Sequence, residues 1–350
     1  MYLGQISGKP CRISPTSPNH SIIISGISGS GKSCKQNLME LQAVKEGNTI
    51  IVIDYSQNHQ PQFLLSSIAE EYNSYINRID AVKDGINLNL LLPIIQNGKR
   101  ESSLNVISGN IVALSMGNSM GVKQKSALRT ILEQAIKNFA SNQDNESEAL
   151  ISAFDMYKEN LACQEVYQKL YTFLHSNVLR QGNKKKIEAG KINIFDLKEL
   201  DIQVASIVSE IILAYLWRLT FNIGLPKEWN KVICSLDEFQ HLSIKKDSTL
   251  RTILREGRRF NLSLLLATQT LSIFNTAEIA MLNQTATRLL FRPNDNDLKK
   301  IAQTIDFEQT NYWKNELSNL QVGECIAIGN KNVCGCEISR PLKLTSEVIL

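Results

Sequence analysis

Six short apolar runs, each bounded by polar or turn-forming residues, punctuate the chain. They are 21–25 (SIIIS), 49–54 (TIIVID), 232–236 (VICSL), 262–267 (LSLLLA), 287–291 (TRLLF) and 324–328 (ECIAI). The apolarity is continuous and does not alternate. That predicts strands buried on both faces, as in a parallel sheet covered by helices. Helical periodicity separates several of the runs, over 32–45 and 249–255 for example. The predicted class is α/β.

Between the second and third runs the pattern changes. Helical spacing dominates over 125–139, 148–160, 164–179 and 202–221, broken by the polar loops 141–147 (SNQDNES) and 181–191 (QGNKKKIEAGK). No Pro/Gly/Ser-rich linker flanks this stretch, so it reads as an all-α insertion into the α/β core. The expected organisation is a first part of the core at 1–119, the insertion at 120–225, and a second part of the core at 226–350 with a C-terminal hairpin and tail. The most apolar segment, 204–225, is interrupted by Glu210 and Arg218, which predicts a buried helix and no membrane anchor.

Composition adds a few bounds. The chain has 350 residues, 43% of them hydrophobic and 21% charged, enough to bury a sizeable core. A net charge of +4 excludes a polybasic nucleic-acid coat and leaves a local basic channel open. The seven cysteines are scattered; Cys334 and Cys336 form a CxC, with no second pair at zinc spacing. The four histidines form no metal-spaced cluster. The N-terminal MYLGQISGKPCR has no apolar run of a secretion signal, so reduced thiols and a cytoplasmic location are expected.

The strongest chemical signal is Gly26-Ile27-Ser28-Gly29-Ser30-Gly31-Lys32-Ser33, which matches GxxxxGK[ST] between a predicted strand and a predicted helix. Glycines let such a loop wrap a phosphate, and its N–H groups and the helix N-terminus supply positive potential. Lys32 is expected on the β- and γ-phosphates of ATP and Ser33 on Mg²⁺. The nucleotide-binding set is Gly26, Ser28, Gly29, Ser30, Gly31, Lys32, Ser33 and Cys34. A second anchor ends the run VICSL: Asp237 for the metal shell and Glu238 to polarise the attacking water. Asp54, also at a strand end, is the runner-up carboxylate. Gln269 ends the next strand, where an amide can contact the γ-phosphate. Arg258 lies in REGRRFN at a helix end: it is either a surface group complementing the helix dipole or an arginine projected onto a neighbouring subunit's nucleotide. No guanine-reading Asn-Lys-x-Asp is present, and the glutamate after Asp237 suits hydrolysis better than a kinase.

Taken in order, GISGSGKS, LDEFQHL, REGRRFNLSLLLATQ and LQVGECIAIG resemble the HerA/FtsK superfamily of ring-forming ATPases, which includes conjugative coupling proteins and type IV secretion ATPases. The resemblance covers 4–118 and 226–330. It implies a RecA-like P-loop core, a homohexamer, and ATP with Mg²⁺. It makes Lys32 and Ser33 the Walker A pair, Asp237 and Glu238 the Walker B pair, Gln269 the sensor and Arg258 the arginine acting in trans. Arg255 is the fallback for Arg258, and Arg292 a weaker candidate for a second phosphate-facing arginine.

Departures are also visible. The N-terminal β-barrel of typical HerA translocases and the anchor of coupling proteins are not expected here, and IDYSQNH stands where many relatives carry Asp-Pro-His-Gly. Three functions stay open: a DNA-translocating motor, a secretion or pilus-assembly ATPase, and a ring scaffold licensing a nuclease or other effector partner, as in antiviral defence. Candidate basic pore loops are 182–191 and 241–246 (HLSIKK).

Overall fold

A computed structural model describes residues 1–350 except 15–16, 18–19, 57–58, 60–63, 65, 89, 143–144, 180–184, 284–286 and 346–350. The strands are β1 (Tyr2–Ile6), β2 (Lys9–Ile13), β3 (Ile22–Ser25), β4 (Thr49–Asp54), β5 (Ile76–Asp80), β6 (Ile95–Gln96), β7 (Lys99–Arg100), β8 (Ile192–Asp196), β9 (Val232–Leu236), β10 (Leu262–Thr268), β11 (Thr287–Leu290), β12 (Glu324–Ile328), β13 (Lys331–Val333), β14 (Cys336–Ile338) and β15 (Leu342–Thr345). The helices are α1 (Lys32–Lys45), α2 (Ser66–Ser74), α3 (Ser103–Met116), α4 (Val122–Asn142), α5 (Glu146–Met156), α6 (Leu161–His175), α7 (Ile202–Arg218), α8 (Thr249–Glu256), α9 (Thr276–Asn283), α10 (Leu298–Ile305) and α11 (Thr310–Ser318).

Apart from the small β6–β7 hairpin, the described strands form one sheet in the order β14-β13-β2-β1-β15-β12-β11-β3-β10-β9-β4-β8-β5. From β11 to β5 every pairing is parallel. From β11 to β14 every pairing is antiparallel. The parallel half is the predicted RecA-like P-loop core. Its strands, except the edge strand β5, are buried on both faces because helices cover both. Ile22, Ile24, Ile50 and Val52 pack with residues of α1 and α2 on one side. Ile23, Ile51, Ile53, Val232 and Leu236 pack with α3–α8 and α10 on the other.

All six apolar runs are strands. The all-α expectation for 120–225 is corrected at one point: β8 lies inside it, between β4 and β5 in the parallel sheet. Asn193 makes this possible at a fully buried position. Its side chain donates to the Ile50 and Glu188 carbonyls and accepts from the Glu188 N–H, so no polar group is stranded. The helices α3–α6 therefore belong to the connection between β5 and β8, and α7 joins β8 to β9. The segment 202–223 is the one described helix long and apolar enough to cross a membrane, and 78% of its apolar 18-residue window is buried within the fold.

Candidate functional site

β3 ends at Ser25, and the chain turns through the glycine-rich loop into α1. Gly26 has φ 152°, and a Cβ there would lie 2.6 Å from the Phe291 Cβ. Gly31 has φ 102°, with space for a Cβ closed by Gly323 N at 3.1 Å. Both positions thus require glycine, for backbone conformation and close approach. Two hydrogen bonds brace the loop: Ile27 N–H to the Arg292 carbonyl at 2.8 Å, and Gly323 N–H to the Ser30 carbonyl at 3.0 Å. No side chain caps α1, and its first turn has no acidic residue, so its N-terminal dipole is free for an anion.

Lys32 opens the helix and is buried, its ammonium donating to the Ile27 carbonyl at 2.8 Å. Burial lowers its pKa, against the opposing pull of Asp237 and Glu238 nearby. Ser33 and Cys34 follow, half-buried, while Ser28 and Gly29 are exposed at the loop crest.

Asp237 follows β9 and is buried; its Oδ1 accepts from the Glu238 N–H at 3.1 Å and its Oδ2 from the Ser56 hydroxyl at 2.8 Å. Glu238 sits in the left-handed region, φ 57° and ψ 47°, a conformation costing an L-residue about 1 kcal/mol or more. That backbone turn swings its carboxylate to two amide donors. Gln269 Nε2 donates to Oε1 at 2.5 Å, and Gln240 Nε2 donates to Oε2. A carboxylate only accepts, so both amides must present their nitrogens.

Lys32, Asp237, Glu238 and Gln269 therefore lie together at the C-terminal rim of the parallel strands. Arg292 shares that rim through its carbonyl on the loop, with its side chain exposed. Gln240 was missed, although it lies inside the quoted LDEFQHL. Ser56 was missed because nothing in the pattern places it across from β9.

Asp54 is not at this rim's open face. It is fully buried, and its pKa is lowered: burial alone would raise it, but His59, the Ser56 N–H and Arg78 outweigh that. Nor is Arg258 nearby. It is exposed in the short turn Gly257–Phe260 that precedes β10, at the opposite rim. β10 has seven residues, so that rim is roughly 20 Å from the phosphate loop. There Arg258 adds to burial and to Lys231 in lowering the pKa of His20 to about 4. Arg255 is exposed at the end of α8 on the same side.

Of the candidate basic loops, residues 182–184 lie outside the described residues. Lys185 is tied to the Arg78 carbonyl at 2.9 Å and to Asp84 at 3.2 Å, and Lys191 to the Ser74 carbonyl at 3.0 Å. Lys245 and Lys246 are exposed.

The residues present fit a nucleoside triphosphate with Mg²⁺. A glycine cradle and an uncapped helix suit phosphates, and the Ser33 hydroxyl with the Asp237 carboxylate is the hard oxygen set that Mg²⁺ takes.

A model of the family described as an AAA-like domain matches residues 12–332. No curated protein matches the sequence. Among solved structures, VirB4 of Thermoanaerobacter pseudethanolicus is similar at a TM-score of 0.72 and 17% identity, covering 99% of this chain and 96% of that one. The bacterial conjugative coupling protein TrwB is similar at a TM-score of 0.64 and 13% identity, covering 99% of this chain and 89% of that one. A further TrwB structure, in complex with ADP and Mg²⁺, is similar at 0.62 and 13%, covering 94% and 86%. At these identities the likeness is one of fold.

Proposed function

The chain belongs to the AAA-like domain family of P-loop ATPases, and we propose that it hydrolyses ATP with Mg²⁺ as a hexameric ring that moves DNA. The observation that carries this reading is the split of the machinery between two rims. Lys32, Asp237, Glu238 and Gln269 converge on one, while the candidate arginine is exposed roughly 20 Å away on the other. Such a layout supports a site completed by a neighbour's arginine.

In this mechanism the N–H groups of Gly29 to Ser33 and the Lys32 ammonium hold the phosphates. Lys32 leaves the Ile27 carbonyl to do so. Ser33 and Asp237 hold Mg²⁺, which when bound offsets phosphate charge. Glu238 orients the attacking water and accepts its proton, using lone pairs left free beside the two amide bonds. Gln269, bonded to the same carboxylate, links the base to the end of β10. Arg258 of the next subunit stabilises charge on the transferring phosphoryl group.

Mixing supplies the test. Subunits carrying Lys32→Ala and subunits carrying Arg258→Ala are each inactive alone. Mixed, an Arg258→Ala subunit that receives the arginine of a Lys32→Ala neighbour has a complete site, and activity returns. No recovery in mixed assemblies of confirmed ring size would reject the shared site. Stimulation of hydrolysis by double-stranded DNA, weakening with salt, is expected of a DNA motor. Hydrolysis indifferent to DNA would turn the choice to the secretion or scaffold functions left open by the sequence.

A further inference from the structure

Beneath the phosphate loop runs a chain of buried polar groups that the mechanism above does not use. On α1, Gln36 Nε2 donates to the Ser235 hydroxyl at 2.8 Å, and Ser235 donates to Glu40 Oε1. Glu40 Oε2 accepts from the Tyr72 hydroxyl of α2 at 2.5 Å and lies 3.2 Å from His59 Nε2. The other ring nitrogen, Nδ1, is 3.5 Å from Asp54 Oδ2. His59, Glu40 and Asp54 are all at most 1% exposed. A cation held between two carboxylates in so dry a place is costly to disrupt and leaves Asp54 little freedom. Asp54 passes that constraint on: its Oδ1 accepts from the Ser56 N–H at 3.1 Å, and the Ser56 hydroxyl donates to Asp237 Oδ2 at 2.8 Å.

We propose that Ser56 is a positioning residue for Asp237, fixing the rotation of its carboxylate through a hydroxyl that the buried Asp54–His59–Glu40 group holds in place. The proposal rests on the reading of Asp237 as the residue that holds Mg²⁺. The Asp237 carboxylate is gripped from two sides. The Glu238 N–H fixes Oδ1, and Ser56 fixes Oδ2, so the remaining lone pairs face a set direction. Outer partners of this kind set how well a ligand is oriented, and their loss typically costs about 10–100-fold in metal affinity. Ser56 is itself exposed, so replacing it opens no buried cavity. The same network ties α1, which carries Lys32, to β9, which Asp237 follows, through Gln36, Glu40 and Ser235.

The experiment compares wild type with Ser56→Ala, Ser56→Thr and Ser56→Cys. Three quantities are read: the Mg²⁺ concentration for half-maximal hydrolysis, Mn²⁺ binding by electron paramagnetic resonance with a non-hydrolysable ATP analogue, and analogue binding in EDTA. Ser56→Ala is expected to raise the metal requirement and weaken Mn²⁺ binding about 10-fold or more. Analogue binding in EDTA and Tm stay as in wild type. Ser56→Thr, which keeps the hydroxyl, restores the metal requirement, and Ser56→Cys, a weaker donor of similar size, falls between. A wild-type metal requirement in Ser56→Ala overturns the proposal. So does a loss of EDTA binding and Tm together, which marks a structural role. A wild-type chain that binds no nucleotide overturns both this and the ATPase site, and shows it before any variant is compared.

Discussion

The two rims of the parallel sheet are built differently. At the C-terminal rim each candidate site residue is hydrogen-bonded: Lys32 to the loop carbonyl, Asp237 to Ser56, Glu238 to Gln240 and Gln269. Backbone strain and buried charge are spent there to hold the geometry. At the N-terminal rim, Arg255, Arg258 and Arg259 are exposed at the end of a short helix and its following turn. One rim is pre-assembled and the other presents reach. A side chain that must enter another subunit's site benefits from length and solvent exposure; groups that must act in concert benefit from mutual contact.

The largest expected effect falls on the sparse rim. Arg258→Ala should lower kcat by about 10³–10⁵-fold in an assembled ring, with Tm unchanged. Hydrolysis at the wild-type rate by intact Arg258→Ala rings would break the contrast outright. Next comes the crowded rim, where Glu238→Gln should cut hydrolysis by about 10²–10⁴-fold while ATP still binds. A fluorescent ATP analogue and a phosphate-release assay separate the two quantities.

The buried network beneath the crowded rim should also reveal itself through pH. Burial alone would lower the pKa of His59, but Glu40 and Asp54 outweigh it and raise the value to about 10. The stabilisation is therefore whole below the ordinary 6.5 and is lost as pH rises through about 10. Tm should decline over that window, and the decline should vanish in His59→Gln. Asp54, with its pKa lowered, contributes in the opposite sense: its part is present above its ordinary 3.8 and lost as pH falls through the folded value. Least affected is the support of the sparse rim. Ser248 caps α8 by accepting from the Arg251 N–H at 3.3 Å, and Ser248→Ala should cost about 1 kcal/mol in denaturant titration. Hydrolysis by the folded protein should barely change.

Which parts were legible in the sequence follows from what each residue must do. β3, β4, β9 and β10 announce themselves because burial on both faces demands unbroken apolar runs. β2, β14 and β15 do not, since they expose many of their residues and read as KPCRI, CEI and LKLT. β8 hid for another reason: its buried Asn193 looks polar until its hydrogen-bond partners are seen together. Among site residues, Lys32, Asp237, Glu238 and Gln269 sit at strand ends and loops whose motifs are local. Ser56 and His59 act on partners 181 and 19 positions away, at the end of the neighbouring strand β9 and on α1, and no local pattern encodes such a pairing.

β10 has a mechanical consequence. It is hydrogen-bonded to β3 on one side and β9 on the other, and every residue in it is buried. Sliding it by one residue would turn all its side chains to the wrong face. It is thus a link of fixed length, with Gln269 at one end and the arginine turn at the other. In the proposed ring, a change sensed at one nucleotide would not reach the next by stretching the subunit. It would do so by rotating the subunit as a rigid body, which would concentrate motion at the borders between its members.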